Sequence, residues 1–416
     1  MNLKINKLNF TNPFKDNKTN EEIIKQIIKE FKAKNFADFS FFNFVDSINN
    51  TNTKNYELYL KTAEKMHQNN LDYIIIFGNG LINKQTDVFY NFFNYNSKIL
   101  NYEAKIIYLN DNDSLANLKN KVNFIKKYVL QKNFFVIIND QYLKNKTFEK
   151  LIINFLTKNN LEIGKFALSQ KTLIFSNKNK SFLYEQIKNI VDETCFVEIK
   201  QQIALNTQLL SELNLILMLY FGIDIKKIIK SFKNFINSIN KNNFEENNAL
   251  VFVFYLYFLM YKGKNNVFTF VSNRKYMKMF LELFCFNLNL IIPGFSAFTT
   301  ITPEDIFKNA QMIYFGNQKI QNIIFKAKKE HFDYVLTSDV KTKDSLSDYD
   351  VTQINDINNN SIDVFVEYIL GSKMKNPIFE VSYEINDEST FGELCALMYL
   401  CMVYVSILTN TSAFIS

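Results

Sequence analysis

Short apolar runs rich in β-branched residues alternate with helical patterns along most of this chain, and the alternation restricts the fold more than any other feature. In the first half the apolar runs lie at residues 72–77, 104–109, 134–138, 172–175 and 195–198. Helical patterns separate them, at 114–128, 144–155 and 181–191. Strands that alternate with helices in this way predict right-handed βαβ crossovers, and therefore a parallel sheet with helices on both faces.

The second half returns to the same alternation after a mostly helical stretch at residues 207–262. Strands are predicted at 267–271, 288–292, 312–315, 334–336 and 378–381, and helices at 276–286, 318–329, 362–370 and 390–408. The polar segment 341–360 is predicted to be an exposed loop. The expected fold class is α/β, with two doubly wound, parallel-sheet lobes and flanking helices.

Three regions are predicted along the chain. Residues 1–55 form an Asn- and Lys-rich segment with one amphipathic helix at 21–34. Residues 56–206 form the first lobe, and residues 207–416 form the second lobe with its helical linker and C-terminal helix. Because 47% of the 416 residues are hydrophobic, there is enough apolar material for two separate cores.

The pattern of charge argues against a nucleic-acid partner. The net charge of +7 is spread along the chain and Arg274 is its only arginine, whereas nucleic-acid-binding proteins cluster Lys and Arg on one face. The four cysteines include no CxxC pair, which predicts free thiols and no zinc site. We expect neither a metal nor a cofactor.

Two apolar stretches, at residues 249–261 and 394–408, are shorter than the roughly 18–20 residues that span a bilayer. They are predicted to be buried helices. Residues 1–10 alternate polar and apolar side chains and do not form the apolar core of a signal peptide. These patterns predict a cytoplasmic protein without a membrane span.

Four segments in matching order resemble glucose-6-phosphate isomerase, a family built from two sugar-isomerase (SIS) domains. Residues 376–394, which include Gly392, are similar to the family's "PN-strand-ELNEYTxGxL-helix" passage. Residues 248–271 resemble its "NKGK-strand", residues 291–305 its "IFP…NFTTDLHSLGQ", and residues 76–81 its "GIGGSYLG". The resemblance extends from about residue 36 to residue 416. It implies the family's two-lobed fold and, for a working member, interconversion of an aldose phosphate and a ketose phosphate in glycolysis.

That reaction needs a carboxylate base, a cation beside the enediolate oxygen, an acid–base pair for ring opening and a cradle for phosphate. The resemblance places the cradle, "SKSGTTTE" in the family, at residues 139–145, where Asp140 would repel phosphate and Lys144 is the one cation. The second phosphate-facing turn keeps Gly78 and Gly80, which we interpret as a requirement of the turn itself. The candidate substrate-binding residues are therefore Gly78, Gly80 and Lys144.

Each catalytic position that the resemblance implies carries an unsuitable residue. The arginine of the family's "GGRFS" falls at Asn206, the base glutamate falls in residues 284–289, which contain no carboxylate, and the ring-opening histidine falls at Pro303. We therefore expect no catalytic residue. If the chain is active, the candidates for recruitment are Glu282, Glu304 and His331. Glu304 has the alternative interpretation of an acidic residue in the first turn of a helix.

Three functional hypotheses remain. The first is a non-catalytic homologue, a pseudoenzyme that serves as a structural or binding subunit of a larger assembly, with other protein subunits as partners. A homodimer is implied by the resemblance alone. The second hypothesis is a diverged but active glucose-6-phosphate isomerase. The third, a sugar-phosphate sensor, is disfavoured by the residues in the phosphate-facing turns.

Overall fold

The computed structural model describes residues 3–8, 18–38, 48, 53–94, 104–177, 181–199, 203–238, 247–261, 266–305, 313, 320–330, 333, 335, 353–371 and 377–415. The strands in this part of the chain are β1 (Lys4–Leu8), β2 (Tyr73–Gly78), β3 (Lys105–Asn110), β4 (Phe134–Asn139), β5 (Thr172–Ser176), β6 (Phe196–Glu198), β7 (Val267–Ser272), β8 (Ser296–Ile301), β9 (Ile320–Ala327) and β10 (Ile378–Tyr383).

The α-helices in the same residues are α1 (Lys18–Lys32), α2 (Thr53–Gln68), α3 (Gly80–Asn94), α4 (Leu115–Phe124), α5 (Lys146–Ile163), α6 (Lys165–Gln170), α7 (Phe182–Ile187), α8 (Glu212–Tyr220), α9 (Ile225–Asn237), α10 (Asn248–Tyr261), α11 (Lys278–Ile291), α12 (Ile354–Gly371) and α13 (Glu388–Thr409). A π-helical turn, Ile125–Val129, continues α4, and a 3-10 segment, Leu205–Leu210, precedes α8.

The chain forms two compact units, which we name after their sheets. The parallel unit comprises Ser40–Tyr90, Ser97–Ile225 and Phe414–Ser416, and the mixed unit comprises Met1–Phe39, Asn91–Asn96 and Lys226–Ala413. The domain boundaries inferred from the sequence, at residues 55/56 and 206/207, stay a prediction.

The sheet of the parallel unit has the strand order β3-β2-β4-β5-β6, and every neighbouring pair is parallel. All five predicted strands are confirmed to within one residue at either end. Strands β2 and β4 are almost wholly buried, so their sequences are continuous apolar runs instead of alternating ones. The strand order reverses between β2 and β4, and α/β proteins bind ligands at such a switch point, outside the carboxyl ends of the strands.

The sheet of the mixed unit has the order β1-β10-β9-β7-β8, in which β1 is antiparallel to β10 and the other pairs are parallel. Its four parallel strands therefore follow the same order as the first four strands of the parallel unit. The α/β class and the doubly wound, parallel cores are confirmed. The edge strand β1 was not predicted, although residues 1–10 alternate polar and apolar side chains as a half-buried strand does.

Two predicted elements of the mixed unit are wrong. Residues 288–291 end α11 instead of forming a strand, and the strand β8 follows at Ser296–Ile301. Residues 318–329 were predicted to be helical, but they contain β9. The isoleucines of β9 have helical spacing, yet the strand lies between β10 and β7, where burial of both faces removes the alternation that marks an exposed strand.

The predicted loop at 341–360 is wrong at its C-terminal end, because α12 begins at Ile354. Residues 341–352 lie outside the described residues. The predicted strands at 312–315 and 334–336 also lie outside them, apart from Ile313 and Val335, and Val335 forms an isolated antiparallel bridge with Gln353.

Helix α13 has 22 residues and is therefore longer than its apolar stretch at 394–408 suggested. Of the helices among the described residues, α13 is long and apolar enough to cross a membrane, but 89% of the qualifying window is buried inside the protein. A core helix meets the same criterion, so the expected absence of a membrane span stays a prediction. The four cysteines are buried and free.

Candidate functional site

The turn between β2 and α3 lies at the switch point of the parallel sheet, and the chain's own side chains satisfy its backbone amides. The Leu81 N–H donates to Asn79 Oδ1 (2.9 Å), and the Gly80 N–H donates to Asp111 Oδ1 (3.4 Å). Asn79 Nδ2 donates to the other oxygen of Asp111 (3.3 Å). Burial raises the pKa of Asp111. A carboxylate that follows β3 therefore occupies the place at which a helix N-terminus would otherwise attract an anion.

The interpretation of Gly78 and Gly80 as a requirement of the turn stays a prediction. The described glycines with positive φ are Gly164, Gly222 and Gly294, so neither turn glycine needs the left-handed conformation. A Cβ on Gly80 would instead overlap the Asn112 amide, 3.0 Å from its Cγ. The turn at Gly80 thus lies against the side chain of Asn112, which follows β3.

The end of β4 holds a second internal carboxylate. Asp140 accepts hydrogen bonds from the hydroxyls of Ser176 (2.6 Å) and Ser181. Burial raises the pKa of Asp140, and the two serine hydrogen bonds partly oppose that shift. Burial and the nearby charge of Asp140 also raise the pKa of Glu149. Hydroxyl donors of the kind that would bind a phosphate are thus already bound to the protein's own carboxylate.

The N-terminus of α5 is capped by its own side chain. Asn145 Oδ1 accepts the backbone N–H groups of Thr147 (3.0 Å) and Phe148 (3.2 Å), which are the amides a helix start offers to an anion. Lys144 precedes this cap and is exposed. A phosphate at this position would therefore meet the solvated cation of Lys144, but the backbone N–H groups of Thr147 and Phe148 are already hydrogen-bonded to Asn145.

A cavity of about 360 Å³ lies at the carboxyl ends of β4, β5 and β6. Two carboxylates line it, Glu198 at the end of β6 and Glu212 in the first turn of α8. The Tyr59 hydroxyl donates to Glu212 Oε1 (3.1 Å), and burial, followed by the charge of Glu212, raises the pKa of Tyr59, so the phenol stays protonated. Gln208 and Ser211 supply further polar lining. Within the part of the chain that the structure describes, no three His, Cys, Asp or Glu side chains assemble a metal site.

No family model and no curated relative matches the chain in sequence. Solved structures do match it. A hypothetical protein from Thermus thermophilus has a TM-score of 0.78 at 11% sequence identity, over 95% of this chain and 91% of that protein. A glucose-6-phosphate isomerase from Chlamydia trachomatis has a TM-score of 0.68 at 9% identity, over 96% of this chain and 83% of the isomerase. The fold is that of the phosphosugar isomerases. At these identities the likeness concerns the fold and not the activity.

Within the phosphosugar isomerase fold, the position that the sequence resemblance assigns to the enediolate-binding arginine is closed. Asn206 is fully buried and accepts the backbone N–H of Ile415 (3.1 Å), while the Leu205 N–H donates to the Ile415 carbonyl (2.9 Å). Both contacts lie inside the parallel unit. The residue that replaces the cation therefore bonds to the chain's own C-terminal residues.

The segment that the resemblance assigns to the base glutamate is the last part of α11. Asn287 is buried, and Asn289 exchanges hydrogen bonds with the backbone of Ala297 at 2.6 and 3.0 Å. Glu282, the nearest carboxylate, is exposed on the same helix. Asn289 thus joins α11 to β8, whereas the amide of Asn287 donates to the sulfur of Met398 in α13 at 3.8 Å.

Of the two other candidates for recruitment, Glu304 lies among the described residues. Glu304 pairs with Lys275 at 3.6 Å, and both side chains are 60% exposed, so this is a solvated ion pair. Residues 302–305 form a turn, and the helix expected after them lies outside the described residues. His331 also lies outside the described residues.

The sequence argument missed the residues that dominate the edge of the parallel sheet. Asp111 and Glu198 each come at or just after the end of an apolar run that was predicted as a strand. Since the carboxyl ends of parallel strands meet at one edge, that position would have identified both. No predicted strand ends near the other polar residues of the cavity, because Gln208, Ser211 and Glu212 lie in a stretch that was predicted to be helical.

Substituting Asp140 with asparagine is expected to make stability less dependent on pH. An acid whose pKa is raised in the folded state holds its proton more tightly there, so stability is lost as pH rises through that pKa. The Tm difference between Asp140→Asn and wild type should therefore be small near pH 4, close to the ordinary Asp pKa of about 3.9, and should grow in favour of the variant towards neutral pH. Thermal unfolding across this pH range, followed by circular dichroism, measures the difference.

The exposed carboxylate of Glu162 provides the matched control, because Glu162→Gln removes the same charge from the same unit without touching the serines. A Tm difference for Asp140→Asn that does not vary with pH would contradict the role of burial at Asp140.

Proposed function

We propose that this chain is a non-catalytic protein built on the phosphosugar isomerase fold, a pseudoenzyme that serves as a binding or structural subunit of an assembly. The observation that carries the proposal is the pair of internal carboxylates, Asp111 and Asp140, at the two turns that would face a substrate phosphate. Partnership with other protein subunits, a homodimer and a cytoplasmic location belong to the same proposal.

The electrostatics of the reaction support this reading. A phosphate dianion would meet a carboxylate in each turn, where the hydrogen-bond donors are already engaged. The developing enediolate would meet the neutral, buried Asn206 instead of a cation. Losing one catalytic group usually costs several orders of magnitude in rate, and here the cradle, the cation and the base are all replaced.

Exposed apolar side chains support an assembly role. Leu161 at the end of α5 and Phe166 in α6 are 81% and 74% exposed, and Phe182 at the start of α7 is 60% exposed. Large apolar side chains of this exposure are favoured at protein interfaces. Sedimentation equilibrium of the purified chain tests the homodimer, which predicts twice the monomer mass of 49.0 kDa.

The decisive experiment is a coupled assay for conversion of fructose 6-phosphate to glucose 6-phosphate, with a known isomerase as the positive control. We expect no turnover above background, and no rise in Tm with fructose 6-phosphate. Turnover that survives repurification would establish the diverged active enzyme instead, and Glu282→Gln, Glu304→Gln and His331→Gln would then identify the recruited group. A Tm rise without turnover would establish a sugar-phosphate sensor.

A further inference from the structure

The outer surface of α4 and of the π turn that follows it carries a local excess of positive charge. We call this surface, formed by the exposed side chains of residues 115–132, the basic face. The sequence from residue 114 to residue 139 contains five lysines and no Asp or Glu. One of the five, Lys121, is paired with Asp113 at 2.6 Å. The other four are exposed, namely Lys119, Lys126, Lys127 and Lys132.

The basic face also exposes three large apolar side chains. Leu115 is 72% exposed, Phe124 is 44% exposed and Tyr128 is 50% exposed. The rings of Phe124 and Tyr128 pack against each other with their centroids 5.4 Å apart, and Lys127 Nζ lies 5.1 Å from the centre of the Tyr128 ring. Single exposed apolar residues are normal, but an aromatic pair beside lysines is typical of an interaction surface.

The π turn Ile125–Val129 places two of the lysines and one of the rings together. The Leu130 N–H donates to the Ile125 carbonyl (3.0 Å), which is the i to i+5 bond of this wider turn. Ile125 and Val129 are buried in the core, and all three residues between them are exposed. Turns of this kind inside helices are rare and occur frequently at functional sites.

The composition of the basic face favours one kind of anionic partner. Clusters of about four to eight Lys or Arg on an amphipathic helix are typical of proteins that bind anionic lipids. Protein interfaces are enriched in Arg and depleted in Lys, whereas this face has four exposed lysines and no arginine. Single-stranded nucleic acids bind along a charged groove, whereas the basic face is the outside of one helix and its π turn.

We propose that the basic face binds the surface of an anionic lipid bilayer. The four exposed lysines contact the lipid headgroups, and Leu115, Phe124 and Tyr128 enter the boundary between headgroups and acyl chains. Because the attraction is largely electrostatic, the attachment is peripheral, reversible and weakened by salt. The inference goes beyond the proposed function and does not depend on it, since α4 contributes no residue to the turns that would face a substrate phosphate.

Co-sedimentation of the full chain with lipid vesicles tests the proposal. We expect binding to vesicles of phosphatidylcholine mixed with phosphatidylserine, and binding weaker by about tenfold or more to vesicles of phosphatidylcholine alone. Salt at about 1 M, where the Debye length is about 3 Å, should release the chain. The double variant Lys126→Gln, Lys127→Gln should bind the mixed vesicles about tenfold more weakly or less. The double variant Phe124→Ser, Tyr128→Ser should also bind them more weakly, because it removes apolar area that enters the bilayer.

The matched control is the double variant Lys61→Gln, Lys84→Gln. It removes the same charge from exposed positions of the same unit, in α2 and α3. Helices α3 and α4 lead the chain in opposite directions along the sheet, so right-handed crossovers place them on opposite faces. The control variant should therefore bind the mixed vesicles as wild type does, and circular dichroism of all the variants checks that each is folded.

Several outcomes would overturn the proposal. Equal binding to both kinds of vesicle, binding to neither, or an equal loss in the lysine variant and the control would show that the basic face does not recognise anionic lipid. Tighter binding of polyglutamate or of a single-stranded DNA oligonucleotide than of the mixed vesicles would assign the face to an acidic protein or to a nucleic acid. Release by inorganic phosphate, but not by sodium chloride of the same ionic strength, would assign it to a free phosphate group. The isomerase assay is independent of all these results, so the two proposals can fail separately.

Discussion

Replacing Arg274 with methionine is expected to lower the free energy of unfolding by about 3 kcal/mol, because it removes the ion pair with Glu330 and takes a charged donor from the buried amide of Asn355. The side chain of Arg274 is 2% exposed. Its Nε lies 3.0 Å from Glu330 Oε1 as a charge contact without the alignment of a hydrogen bond. Its Nη2 donates to the amide oxygens of Asn355 and, at 3.0 Å, Asn359. The side chain thus joins the end of β7 to the start of α12.

Urea denaturation followed by circular dichroism measures the loss, since the chain has no Trp for fluorescence. The adjacent Lys275 is the matched control. Its ion pair with Glu304 is solvent-exposed, so Lys275→Met should change stability by no more than about 1 kcal/mol. If loss of the ion pair is the cause, Glu330→Gln should cost less stability in the Arg274→Met background than in the wild type. Equal stabilities of the Arg274 and Lys275 variants would contradict the assignment.

Substituting Gly392 with alanine is the second large effect, with an expected net loss of about 2 kcal/mol, which is the upper end of the overpacking cost less the gain in helix propensity. A Cβ at this position of α13 would overlap the Ile228 carbonyl oxygen and lie 3.1 Å from its carbon, and it would also meet the Ser231 hydroxyl. Overpacking typically costs about 1–3 kcal/mol, and alanine returns roughly 1 kcal/mol of helix propensity. Because the obstacle is the backbone of α9, relief requires one helix to move.

Gly371 gives the control for the Gly→Ala change, because it ends α12 and no heavy atom of the described residues lies within 4 Å of its Cβ position. Gly371→Ala is expected to stay within about 0.5 kcal/mol of wild type, as is usual for exposed sites. Thermal unfolding of the two variants side by side makes the comparison. A Gly392→Ala protein as stable as Gly371→Ala would mean that α9 and α13 do not approach as closely as described.

The sequence predicted elements best where local pattern and tertiary environment agree. All five strands of the parallel unit were recognised, and in β2, β4 and β5 burial of both faces produces continuous apolar runs. It failed at β9, where the same burial allowed a helical spacing of isoleucines, and at β1, whose strand conformation comes from pairing with β10. Gly392 stood out within the resembling C-terminal segment, although only the packed helices give the steric reason for it.

At the candidate site, too, some features could be predicted from the sequence and others depend on the tertiary structure. The sequence predicts that the groups needed for phosphosugar isomerisation are replaced, because residue identity decides whether a side chain can carry the required charge, and this stays a prediction. It could not predict that Asp111 reaches Gly80, that Asn206 binds Ile415, or that residues from Leu58 to Leu213 surround one cavity. Such contacts join residues far apart in the chain, and their geometry exists only once strands and helices have packed.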